Sequence, residues 1–178
     1  MKLLEGKVAI VTGAARGIGE AVAIKFAEHG ANIAFTYVSD GSKEKAAALE
    51  AKLQSMGVKA KAYQSNAGDF AACESFVTDV LKEFGTVDIC VNNAGISMRA
   101  LFKDLDLVVI RNLMDVNFWG TVYCTKYALP YLLQSKGSVV GVSSIAGVKG
   151  LPGRTGYSSR GTLSTIGRIR VWMASISK

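Results

Sequence analysis

Apolar and polar positions along the 178-residue chain alternate between two regimes. Short, mostly apolar runs rich in Val, Ile and Ala predict strands over residues 8–12, 32–37, 59–65, 87–92 and 138–143. Between them, apolar residues recur at helical spacing. That pattern predicts helices over 19–29, 41–56 and 70–84, and one long helix or two over 107–135. Gly30, Gly57 and Gly85 each stand just past a predicted helix, where a left-handed C-cap is expected. Strand–helix alternation with short connections argues for a parallel sheet covered by helices on both faces.

A doubly wound α/β sheet of this Rossmann-like kind binds its ligand beyond the carboxyl ends of its strands, where the strand order reverses. The first, fourth and fifth predicted strands end in residues 13–19, in Asn92-Asn93-Ala94-Gly95 and in Ser143-Ser144. All three endings are polar or glycine-rich, and all belong on one rim. The first is the most informative. Strand one passes through Gly13, Gly17 and Gly19 into a helix, so bare backbone N–H groups gather at a helix N-terminus. Partial positive charge and unpaired donors suit that end to a phosphate, here the diphosphate of a dinucleotide.

Composition narrows the classes. A hydrophobic share of 49% and two prolines fit one compact domain with a substantial core. No unbroken apolar run reaches membrane-spanning length and no signal-peptide pattern opens the chain, so a soluble, cytoplasmic protein without a membrane partner is expected. Cys73, Cys90 and Cys124 are odd in number and lack CxxC spacing, which favours reduced, buried thiols over disulfides or a metal site. His29, the only histidine, is expected as a helix-end or solvated residue. Charge is one-sided: residues 1–115 hold 13 Lys/Arg against 14 Asp/Glu, whereas residues 116–178 hold eight Lys/Arg and no acid. A basic surface suits nucleotide phosphates, acidic carrier proteins or nucleic acid. The alternative is an enzyme lacking the acidic segments that would balance it, and that reading, without a nucleic-acid partner, is preferred.

The glycine turn, Asn92-Asn93-Ala94-Gly95, Ser144 and Tyr157 together resemble the short-chain dehydrogenase/reductase family over about residues 1–157. Residues 1–95 are most similar to its bacterial 3-oxoacyl-[acyl-carrier-protein] reductase branch. The resemblance implies an NAD(P)-dependent oxidoreductase that moves hydride between a nicotinamide cofactor and a carbonyl or alcohol. Its substrate would be a small or acyl-carrier-bound carbonyl compound such as a 3-oxoacyl thioester. It further implies that Gly13, Arg16, Ile18 and Gly19 line the diphosphate and adenosine ribose. Asn66 and Ala67 would face the adenine, and Asn93, Ala94 and Gly95 would run under the riboses. Tyr157 would be the general acid/base, Ser144 the hydrogen-bond partner of the reacting oxygen, and Asn117 the holder of a relay water. Self-association through helices after strands four and five is also a family habit. Predicted strand two ends Phe35-Thr36-Tyr37 with no acid to bind a ribose 2′-hydroxyl, and Arg16 matches a 2′-phosphate, so NADP is favoured over NAD.

One departure stands out. A free tyrosine has a pKa of about 10, too high for proton transfer at neutral pH. The family lowers it with a lysine four residues on, but Gly161 occupies that position here, with Arg160 one residue before it. Beyond Arg160 the likeness ends. Residues 158–178 read as a basic tail of the same domain, with Ile166, Ile169, Trp172, Met173 and Ile176 at helical spacing. Full-length relatives continue well past this point, so the resemblance implies a sheet incomplete on its C-terminal side. A deletion or frameshift near Ser158 would account for the departures together. The alternative function is then a cofactor-binding remnant without turnover.

Overall fold

The computed structural model describes residues 1–144, 146 and 157. Five strands form one parallel sheet: β1 (Val8–Val11), β2 (Asn32–Tyr37), β3 (Ala60–Gln64), β4 (Ile89–Asn92) and β5 (Ser138–Gly141), in the spatial order β3-β2-β1-β4-β5. The helices are α1 (Gly17–Glu28), α2 (Lys43–Ser55), α3 (Phe70–Phe84), α4 (Leu107–Met114) and α5 (Gly120–Gln134). The doubly wound α/β architecture predicted from the sequence is therefore present in the described residues.

Alternation along the central strand explains the two layers. Side chains in a strand point to opposite faces in turn. Ala9 and Val11 join Ile33, Phe35 and the α1/α2 residues Ala23, Ala27, Ala46, Leu49 and Leu53 in one buried cluster. Val8 and Ile10 face the other way, into Cys90, the α3 residues Phe76, Val77 and Val80, and the α5 residues Cys124, Ala128 and Leu132. The central strand β1 is apolar and buried on both faces because each face is covered by helices, whereas the edge strands β3 and β5 are only partly buried. The sheet's lower rim is tied by Asp88, whose carboxylate accepts from Lys7 Nζ at 3.0 Å and from the Val8 N–H at 2.9 Å.

Strand order reverses between β1 and β4, which lie side by side although the chain departs from them in opposite directions. The crevice above their carboxyl ends is the expected ligand position. Three local features bear on it, the first two of them differences from the sequence expectation. Helix α1 starts at Gly17 rather than 19, so its first turn belongs to the glycine loop. Helix α2 starts at Lys43 because a short 3-10 turn, Asp40–Ser42, precedes it. The long 107–135 segment is two helices joined by one π-helical turn, Asp115–Trp119. Gly120 explains that junction: a Cβ there would lie 2.9 Å from the Ala67 carbonyl oxygen, so only glycine lets α5 begin against the β3–α3 loop.

Candidate active site

Thr12 closes β1 and is 4% exposed. Its Oγ1 accepts the N–H groups of Asn93 at 3.0 Å and Ala94 at 2.9 Å, and contacts the Val91 carbonyl at 3.4 Å. Asn93 returns the contact: its Nδ2 donates to the carbonyls of Thr12 (2.9 Å) and Gly13 (3.0 Å). Four reciprocal bonds thus fasten the loop after β4 to the turn after β1. On the other side Thr36, at the end of β2, accepts the Gly13 N–H on its hydroxyl at 2.9 Å and the Ala14 N–H on its carbonyl.

Those contacts sort the glycines by purpose. Gly13 has φ +65°, and a Cβ there would meet the Ala94 Cα at 2.9 Å. At Gly19 a Cβ would stand 2.5 Å from Asn93 Nδ2 and 2.8 Å from Ala14 Cα. Both glycines are required by close backbone approach. Gly17, with φ +64°, faces open space. Thr36 holds the Gly13 and Ala14 amides, and the first α1 turn offers its own N–H donors to an anion. Arg16 is the N-cap, in extended conformation, and makes no side-chain cap bond to them. Arg16 and Ile18 are exposed at this rim, Ile18 by 63%. A bare-backbone cradle at the start of a twelve-residue helix fits a diphosphate.

The other predicted residues are placed as follows. Asn66 Oδ1 accepts the Gly68 N–H at 3.0 Å, and Ala67 is buried, its carbonyl accepting from Cys73 Sγ at 3.3 Å. Burial pushes that thiol up to about 12, so it remains protonated and is no nucleophile at neutral pH. Gly95 is exposed beyond Ala94. Asn117, 4% exposed in the π-helical turn, pins the same loop: Oδ1 accepts the Ile96 N–H at 2.7 Å and Nδ2 donates to the Ile96 carbonyl at 2.9 Å. Ser144 follows β5, half-buried, its Oγ accepting the Ala146 N–H at 3.3 Å. Tyr157 is half-buried and helical. The readings at Arg160, Gly161 and the 158–178 tail lie outside the described residues. The contacts join Gly13, Gly19, Asn93 and Ala94 directly, with Asn117 behind them. Sequence reasoning missed Thr12 and Thr36; a hydroxyl residue at each of two neighbouring strand ends was the available signal. His29 caps α1, as expected. Among the described residues no group of His, Cys, Asp and Glu could hold a metal ion, and no helix is long and apolar enough to cross a membrane.

A glycine cradle locked to an Asn-Asn-Ala-Gly loop across the switch point is the geometry against which relatives can be compared. The sequence profile of short chain dehydrogenases matches residues 7–160. The chain belongs to that family. It is 38% identical over 152 residues to a 3-oxoacyl-[acyl-carrier-protein] reductase FabG of Staphylococcus aureus, an alignment covering 85% of this chain and 61% of that protein. It is 37% identical over 161 residues to an L-rhamnose 1-dehydrogenase (NAD(P)(+)) of a Sphingomonas species, covering 89% and 62%. A short chain dehydrogenase from Burkholderia cenocepacia, solved in complex with NADP, superimposes with a TM-score of 0.86 at 34% identity, over 92% of this chain and 66% of that one. The chain thus spans roughly three-fifths to two-thirds of these family members.

Proposed function

We propose that this family member is an NADP-dependent oxidoreductase that reduces a carbonyl, with a 3-oxoacyl thioester as the leading substrate class. The observation that carries this reading is the rim itself: the open first turn of α1 beside the Thr12–Asn93 lock. The NADP of the Burkholderia relative supports the cofactor, and the reductase from Staphylococcus supports the substrate. The L-rhamnose 1-dehydrogenase, 37% identical, points instead to a sugar as a competing substrate class.

In this reading the amides of Gly17, Ile18 and Gly19 take the diphosphate, and Arg16 pairs with the 2′-phosphate. Gly13 keeps the turn against Ala94. Asn66 and Ala67 border the adenine. Asn93, Ala94 and Gly95 form the floor under the riboses. The bound nicotinamide supplies or accepts hydride. Ser144 donates to the carbonyl oxygen and stabilises charge gathering there. The Tyr157 hydroxyl delivers the proton to that oxygen. Asn117 holds the Ile96 peptide, and thereby the loop, and orders a water behind Tyr157. The charge that lowers the tyrosine pKa falls to Arg160, because Gly161 has no side chain. That substitution favours a second reading, cofactor binding without turnover.

NADPH fluorescence and turnover of a 3-oxoacyl thioester by the whole chain separate the two. Binding with turnover that Tyr157→Phe abolishes supports reduction, whereas binding without turnover supports the second reading. Gly13→Asp should remove binding, because bulk and negative charge would replace the contact with Ala94. Undiminished NADPH binding by a folded Gly13→Asp protein would overturn both readings.

A further inference from the structure

Cys90 and Cys124 are 0% exposed and come from different layers: Cys90 from β4, beside the central strand, Cys124 from α5 packed over it. Their sulfurs lie 3.9 Å apart, in contact. Cys90 Sγ also contacts Asn92 Oδ1 at 3.9 Å, and Asn92 Nδ2 donates to Thr125 Oγ1 at 2.9 Å. The thiol pair therefore stands next to a second β4–α5 link, directly behind the loop that Thr12 and Asn117 fasten. The third thiol is otherwise occupied, since Cys73 Sγ donates to the Ala67 carbonyl.

We propose that Cys90 and Cys124 are a modification site: a peroxide oxidises the pair to a disulfide that joins α5 to β4. In the first step one thiol gives up its proton, its sulfur takes an oxygen from the peroxide, and the proton goes to the leaving oxygen, so that a sulfenic acid and, for hydrogen peroxide, water are formed. In the second the other sulfur displaces that hydroxyl, forming the S–S bond and a second water. The two thiols together lose two electrons and two protons, and the peroxide is reduced by two electrons. Sulfur contact before reaction removes the need for any large rearrangement once a sulfenic acid has formed. The Cys90 contact, and after it burial, hold the Cys124 thiol well above its usual range. Oxidation therefore runs through local opening of α5 from the sheet and is slow.

The experiment treats the full chain with hydrogen peroxide, unfolds it under alkylation, and reads free thiols, intact mass and a peptide map. The expected result is a fall from three free thiols to one. The intact mass falls by two hydrogens, the map shows a Cys90–Cys124 cross-link, and a dithiol reductant restores all three. Cys73→Ala should lose both remaining thiols at the same rate. Three intact thiols, under exposure that oxidises the urea-unfolded chain, would overturn the proposal. So would oxygen addition without a bridge, a bridge that uses Cys73, or a link between two chains.

Discussion

Removing one hydroxyl at Thr12 is the sharpest test of how the rim is held. Thr12→Val keeps the volume and deletes the acceptor of two adjacent main-chain N–H groups, those of Asn93 and Ala94. The Val91 carbonyl is not orphaned, because the Thr12 N–H still donates to it at 3.0 Å. The cost is therefore two partly buried donors left without partners. At about 1–3 kcal/mol for each unsatisfied buried group, and with partial access to water at Asn93 and Ala94, the expected loss is about 2–4 kcal/mol. Urea unfolding measures it: with a slope of about 2 kcal/mol per molar urea, the midpoint should fall by about 1–2 M at unchanged slope. Thr12→Ser retains the acceptor and should lose far less. A Thr12→Val midpoint equal to the wild type, or equal losses for valine and serine, would refute the argument that this hydroxyl couples β1 to the loop after β4.

Two further outcomes follow from the same physical reasoning. Lys59 and Lys61 pair with Glu83 at 2.6 and 2.7 Å and hold its carboxyl down at about 2. A depressed carboxyl stabilises the fold above its unfolded pKa, so this contribution is present at neutral pH and is lost between about 4.5 and 2. Glu83→Gln should flatten that acid limb in urea midpoints measured across pH, modestly and less in high salt because the pairs are exposed; an unchanged acid limb would remove Glu83 from it. Lys136 sits at φ +52° in the turn between α5 and β5, the one non-glycine residue with positive φ among those described. Lys136→Gly should raise stability by up to about 1 kcal/mol in the same unfolding assay, and a loss would show that the lysine side chain contributes more than its backbone strain removes.

The layers were legible because burial imposes period on the sequence. Asn32–Tyr37 and Phe70–Phe84 coincide with their predicted spans, since apolar period and flanking caps agree there. Asp69 caps α3 through the Ala72 N–H, and Gly85 closes it at φ +80°. The rim was legible only as residue types. Thr12 and its two N–H partners are about 80 positions apart, so no local pattern carries the bond. The start of α1 at Gly17 was hidden because glycine weakens any helical signal. The π-helical turn, which carries Asn117 and its two bonds to Ile96, was hidden because it inserts a residue without breaking the apolar pattern.

The central place of β1 has a consequence for synthesis on the ribosome. Its Ala9/Val11 side is covered as soon as α1 and α2 emerge, but the Val8/Ile10 side waits for α3 and, last of all, α5. At about 5–20 residues per second, the translation of roughly 120 intervening residues leaves that apolar ridge without its full cover, α3 first and α5 last, for about 6–24 s. Between the emergence of β3 and that of α3 the nascent β1–β2–β3 unit is a one-sided sheet, and until α5 arrives its second face is half covered; this is the stage at which a holdase has most to bind and a stalled chain is most prone to aggregate.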